Sequence, residues 1–154
     1  TMVTAYIREF FVPQGILGET LETAVPWSKI NQVKDEANKL LLKLHKEYNL
    51  PGKPFFCSRI SKIYHSGICM YNTMGINMRG VKNPEKVFSQ IEHSLRACFI
   101  KNGGSISHHH GVGKLRKDFV PDTISEGSIQ MVKNIKKTQD PNNIFGVKNN
   151  IATD

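Results

Sequence analysis

The spacing of apolar positions divides the chain into extended segments and amphipathic helices. Residues 2–12 are rich in β-branched and aromatic side chains and predict a first strand, and residues 16–25 predict a second extended segment. Residues 55–64 and 68–78 predict a pair of antiparallel strands, because turn-forming residues at 65–67 separate them. These segments indicate a sheet built mainly from hairpin connections.

Three further stretches repeat their apolar residues at helical spacing. We predict helices over residues 26–48, 84–102 and 122–137. Asn83 is expected to cap the second of these with its side chain, since Asn is a preferred N-cap residue and Pro84 suits the first helical position. The pattern therefore predicts the α+β class, an antiparallel sheet covered by helices.

Strand alternation places Tyr71 on the polar side of its predicted strand. One face carries the apolar residues Ile68, Met70, Met74, Ile76 and Met78, and the opposite face carries Cys69, Tyr71, Thr73 and Asn77. A phenol on the polar face could donate or accept a proton at a cavity. The alternative is a tyrosine that packs in the fold, with a hydroxyl that makes a hydrogen bond but has no chemical role.

Arg8 is the corresponding candidate in the first predicted strand. Alternation places it on one side together with Tyr6 and Phe10. An arginine between aromatic residues is either an edge residue whose charge reaches solvent or a clamp for an anion.

Composition narrows the classes of partner. The 154 residues carry a formal net charge of +8, which favours acidic ligands, and 39% apolar residues suffice for one core. Basic and aromatic residues are not interleaved, so we expect a phosphorylated ligand rather than nucleic acid. Three irregularly spaced cysteines indicate a reducing compartment.

Half of the six histidines lie together at His108, His109 and His110, between glycines on both sides. Imidazole titrates near physiological pH, and glycine permits a tight bend, so the segment suits proton transfer or anion handling. We expect no metal here, because adjacent histidines should project in different directions and the cysteines lack ligand spacing. A solvated basic loop without chemistry is the other interpretation.

Four segments, in order along the chain, resemble one family of flavoenzymes. Residues 102–117, with the triple histidine followed by Gly-Val-Gly-Lys-Leu-Arg-Lys, resemble the histidine motif of the alkyldihydroxyacetonephosphate synthases, which form the ether bond of ether lipids. Residues 4–10 resemble that family's strand with a substrate-contacting arginine, and residues 67–71 the stretch with its catalytic tyrosine. Residues 140–146 resemble a closing motif shared by FAD-linked oxidases of the vanillyl-alcohol oxidase type.

The resemblance implies that a long-chain fatty alcohol replaces the acyl group of acyl-dihydroxyacetone phosphate, with FAD as the cofactor. Tyr71 would be the general acid and base, and Arg8 would bind the substrate phosphate. His108, His109 and His110 would line the pocket facing the flavin, with at least one of them in proton transfer.

The same resemblance implies a domain organisation. Residues 1–101 would be part of a substrate-covering cap, and residues 102–154 the active-site loop and tail. The FAD-binding domain is expected before residue 1, so the chain would be the C-terminal part of the enzyme and inactive alone. A homodimer in the peroxisome or the glycosome is expected, with the peroxisomal membrane surface as a further partner.

Two other functions remain open at this point. One is a FAD-dependent 2-hydroxyacid dehydrogenase of the same superfamily. The other is a non-enzymatic basic domain that binds nucleic acid or an anionic membrane surface, as the positive charge would allow.

Overall fold

A computed structural model describes residues 9–149 and 151. The chain divides into two compact units, Thr1–Ser105 and Ile106–Asp154. The first unit contains an antiparallel sheet and two long helices, which are β1 (Ile16–Pro26), α1 (Ile30–Glu47), β2 (Phe55–Ile63), β3 (Gly67–Asn77) and α2 (Pro84–Lys101). The strands lie in the order β1-β3-β2.

The β2-β3 hairpin closes at Gly67, where the neighbouring backbone of β1 leaves no room for a side chain. Tyr64 and Gly67 exchange backbone hydrogen bonds across it. A Cβ atom at Gly67 would lie 2.0 Å from the Val25 carbonyl oxygen, so a larger residue would push β1 away from β3. The close approach of β1 therefore explains glycine at this position.

The core of the first unit lies on one face of the sheet, under α1 and α2. Alternate residues of β3 are buried there, as the sequence pattern predicts, together with apolar residues of both helices such as Val33, Leu41 and Leu95. Asn72 is a polar residue of this face and is fully buried. It accepts a hydrogen bond from Ser58 and donates one to the Leu21 carbonyl, which removes the cost of burying its amide.

The first unit ends in a segment fixed to the free edge of β1. Ser105 donates its backbone N–H to the Ala24 carbonyl at 2.9 Å, and its hydroxyl accepts from the Ala24 N–H at 2.9 Å. A Cβ atom at Gly104 would lie 2.4 Å from the Thr23 hydroxyl oxygen. The glycine thus permits the backbone to approach β1 closely.

The second unit contains a short 3-10 helix, Lys117–Asp122, and α3 (Glu126–Gln139). The Ser125 hydroxyl caps α3 by accepting the Ser128 backbone N–H at 3.2 Å. The predicted start at residue 122 is wrong, because Pro121 lies inside the 3-10 turn and the capping serine comes later. The predicted end before Asp140 is confirmed.

Two other predictions of local structure are corrected. Residues 1–8 of the predicted first strand lie outside the described residues, but residues 9–11 are helical and Val12–Gln14 form a 3-10 turn. Pro13 fits that turn, and Gly15 closes it with a φ of 77°. Asn83 precedes α2 but makes no side-chain cap, since its own backbone is left-handed, with a φ of 54°.

The α+β class itself is confirmed, and so are the second extended segment, the hairpin and the first two helices within a few residues. Over the described residues, no helix combines the length and the apolar character needed to cross a membrane.

Candidate functional site

Tyr71 lies on the face of the sheet opposite the core, which we call the outer face. It is partly buried and pairs with Glu22 of β1 on one side and with Arg59 of β2 on the other. These three side chains form one row across the sheet, since paired residues of antiparallel strands share a face. The predicted orientation of Tyr71 away from the apolar stripe is thus confirmed.

Glu22 is the buried acid of the outer face, with 2% of its surface exposed. The Cys69 thiol donates to its Oε2 oxygen at 3.7 Å. Burial raises the pKa of the Cys69 thiol, and the Glu22 carboxylate adds to this increase. Cys69 is therefore a neutral thiol that serves as a hydrogen-bond donor to the carboxylate near neutral pH.

The three histidines form a contact cluster within the second unit. The Nδ1 atoms of His108 and His109 are 3.0 Å apart, and the rings of His109 and His110 meet edge to face with centroids at 4.6 Å. The expectation that adjacent histidines diverge is wrong, because the backbone bends at each of these residues. A hydrogen bond between two Nδ1 atoms needs one donor and one acceptor, so the pair shares a single proton there.

Arg116 holds the histidine segment in shape from within the same unit. It is 6% exposed, and its Nη1 donates to the Gly111 carbonyl at 2.9 Å. Its Nη2 lies 3.4 Å from the Nδ1 atom of His110. A guanidinium can only donate, so the Nδ1 atom of His110 is the acceptor in this contact.

The segment 140–146 folds around the carboxylate of Asp140. Its two oxygens accept the backbone N–H groups of Ile144 and Phe145, each at 2.9 Å, and it forms an ion pair with Lys136. The hydrogen bond from Lys136, followed by those two backbone bonds, lowers the pKa of Asp140 to about 2. The turn presents Ile144 and Phe145 to solvent, with 65% and 73% of their surfaces exposed.

Because the folded pKa of Asp140 is below its unfolded value of 3.8, its contribution to stability is complete above about pH 4. We expect it to disappear as the pH falls from about 4 toward 2. Hydrogen exchange should show the Ile144 and Phe145 amides losing protection over this interval, and Asp140→Asn should weaken protection already at pH 5. Asp118→Asn, at an exposed acid of the same unit, is the matched control. Equal protection in Asp140→Asn and the control would contradict this account.

The predicted site residues fall into different parts of the chain. Tyr71 belongs to the first unit, and His108, His109 and His110 belong to the second. Arg8 lies outside the described residues.

The sequence did not predict the residues that contact Tyr71 or those that contact the histidine segment. In the sequence Arg116 is only one of the basic residues that follow the histidines, whereas in the structure it contacts the loop backbone and His110. Glu22 and Arg59 could have been found only from the register of β1 and β2 on β3, which apolar spacing does not specify.

The pattern of the family described as FAD linked oxidases, C-terminal domain, matches residues 1–148. The chain therefore belongs to this family. Among its relatives is the alkyldihydroxyacetonephosphate synthase of Caenorhabditis elegans, which is 38% identical over 149 residues, covering 97% of this chain and 25% of the relative. The synthase of Dictyostelium discoideum is 26% identical over 96% of the chain and 24% of its own length.

The chain thus spans about a quarter of the length of these synthases. A probable D-2-hydroxyglutarate dehydrogenase of Oryza sativa subsp. indica is 35% identical, but over only 46% of the chain and 12% of its own length. A solved structure of alkyldihydroxyacetonephosphate synthase superimposes with a TM-score of 0.63 at 21% identity, covering 88% of this chain and 21% of that one. This likeness supports the fold.

Proposed function

We propose that this chain is the substrate-side, C-terminal part of an alkyldihydroxyacetonephosphate synthase. The enzyme would replace the acyl group of acyl-dihydroxyacetone phosphate by a long-chain alcohol, releasing the fatty acid and forming the alkyl ether. The observation that carries the proposal is the similarity to such synthases over 97% of the chain, which takes in both the strand of Tyr71 and the histidine segment.

The chain would contribute the acid and base groups of the reaction. The substrate carbon must give up a proton and later regain one, and the phenol of Tyr71 on the outer face is suited to both steps. The His108-His109 pair, which shares one proton, can pass a proton onward. Arg8 would bind the substrate phosphate through its planar guanidinium.

FAD is the cofactor that the family implies, and when bound it would supply an electron-accepting ring for the substrate carbon that loses the fatty acid and gains the alcohol. The described residues form no glycine-rich turn that opens an α-helix, the usual cradle for a dinucleotide pyrophosphate. The segment after the histidines continues instead into the 3-10 helix Lys117–Asp122. We therefore assign FAD binding mainly to polypeptide outside this chain.

The proposal extends to partners and location. A homodimer and a place in the peroxisome or glycosome follow from the resemblance to the synthases. A membrane surface as partner is supported by the net charge of +8 and by exposed apolar residues near the β2-β3 turn, Trp27, Ile60 and Ile63.

The test is an assay of the complete polypeptide loaded with flavin. With acyl-dihydroxyacetone phosphate and a radiolabelled long-chain alcohol, we expect labelled alkyl-dihydroxyacetone phosphate and an equal amount of released fatty acid. Because the exchange involves no net oxidation, the flavin absorption band should return to its starting intensity once the acyl substrate is consumed, without any added oxidant.

Other outcomes would support other functions. Bleaching of the flavin by lactate, glycolate or 2-hydroxyglutarate, without ether formation, would indicate the dehydrogenase, which the similarity to the rice protein favours over part of the chain. Salt-sensitive binding to DNA or to anionic vesicles that needs no flavin would indicate a basic binding domain.

A further inference from the structure

Arg59 lies directly over the ring of Tyr71. Its guanidinium carbon is 4.6 Å from the ring centroid, within the range of a cation–π contact. The two residues are cross-strand partners on β2 and β3, so their backbones hold the contact in register. The contact is therefore a feature of the sheet rather than a chance meeting of two long side chains.

The charge environment leaves Arg59 available for this contact. Residues 48–84 contain Arg59, Lys53, Lys62, Arg79 and Lys82 but no Asp or Glu. Within the described part of the chain, no ion pair involves Arg59. An exposed arginine with no carboxylate partner that lies on an aromatic face stabilises that geometry through the ring itself.

We propose that Arg59 is a positioning residue for Tyr71. The inference rests on the proposed role of Tyr71 as general acid and base. Arg59 restricts the phenol ring from the β2 side, and its fixed positive charge favours the negative charge that develops on the phenol oxygen when Tyr71 gives up a proton. Glu22 occupies the β1 side of the same row, so the ring is flanked by opposite charges.

The test compares Arg59→Gln, which keeps length but removes the charge, with Arg59→Lys in the complete flavin-loaded enzyme. We expect Arg59→Gln to lower kcat about tenfold, with the KM values of both substrates within about twofold of normal, and Arg59→Lys to retain most of the activity. Lys62→Gln is the matched control, since Lys62 is an exposed cation on the same strand, paired with Cys69.

A double-mutant cycle distinguishes an effect of Arg59 through Tyr71 from a direct effect of Arg59 on the substrate. In a Tyr71→Phe background, Arg59→Gln should lower kcat by less than about twofold, because the group through which Arg59 acts is gone. A full tenfold loss in that background would overturn the inference, and so would a selective rise in the KM of the phosphorylated substrate, which would make Arg59 an anion-binding residue.

A spectroscopic measurement reports on the ring directly. With 3-fluorotyrosine incorporated, the 19F resonance that disappears in Tyr71→Phe identifies residue 71. Arg59→Gln should shift or broaden it, while Lys62→Gln leaves it unchanged. An unchanged resonance and normal kcat in Arg59→Gln, with Tyr71→Phe inactive, would overturn the role of Arg59 alone. Normal turnover in Tyr71→Phe would overturn both this inference and the assignment of Tyr71.

Discussion

Tyr71→Phe in the complete enzyme is expected to lower kcat by about 10²-fold or more, the usual size of a general acid and base effect. The substitution removes one hydroxyl and keeps the ring, so the contacts of the ring with Arg59 and with the sheet should persist. Substrate binding should change little, because the phenol acts on a proton rather than holding the phosphate. Steady-state measurement of ether formation gives kcat and both KM values.

Tyr48→Phe is the control for this experiment. It removes a hydroxyl from the same unit, one that donates to Gln90 at 3.2 Å on the surface. Turnover of this variant should be normal. If Tyr71→Phe turned over like Tyr48→Phe, the acid and base would have to be sought elsewhere in the enzyme.

The secondary structure of the first unit was predictable because each element carries its own periodic signal. In α1, Val33, Ala37 and Leu41 follow helical spacing and are fully buried. In β3, alternate residues are buried, and this alternation also assigned the face of Tyr71 correctly. Where signals conflict, the prediction failed. Pro121 and Ser125 displaced the start of α3, and the left-handed backbone of Asn83 precluded a side-chain cap.

The candidate site was only partly predictable, because its neighbours come from strand pairing between distant segments. Glu22 and Arg59 are separated from Tyr71 by 49 and 12 positions, respectively, and meet it through the register of β1 and β2 on β3. In the sequence Arg116 is one of several basic residues after the histidines, whereas in the fold it donates to the Gly111 carbonyl and contacts the Nδ1 atom of His110. Residue type was enough to identify Tyr71 and the histidines as reactive groups. The residues that contact them could be identified only from the structure.

His109 is the middle ring of the histidine cluster, and His109→Ala is expected to lower kcat by about 10²-fold in the complete enzyme. Its ring contacts both neighbours, with centroids 5.3 Å from His108 and 4.6 Å from His110. Removing the His109 ring eliminates the hydrogen bond between the Nδ1 atoms of His108 and His109. It also removes the ring that contacts both His108 and His110. Added imidazole should restore part of the lost rate, because His109 is exposed and a free imidazole can reach its place to transfer the proton.

The matched control is His65→Ala, at an exposed histidine of the β2-β3 turn whose side chain is remote in sequence from the cluster. Normal kcat in that variant, with loss and imidazole rescue in His109→Ala, would assign proton transfer to the cluster. A loss that imidazole does not restore, accompanied by a lower melting temperature, would instead indicate that His109 supports the shape of the segment. If His109→Ala kept a normal kcat, the proton shared by His108 and His109 would not be needed for turnover. The proposed proton transfer through His109 would then be refuted.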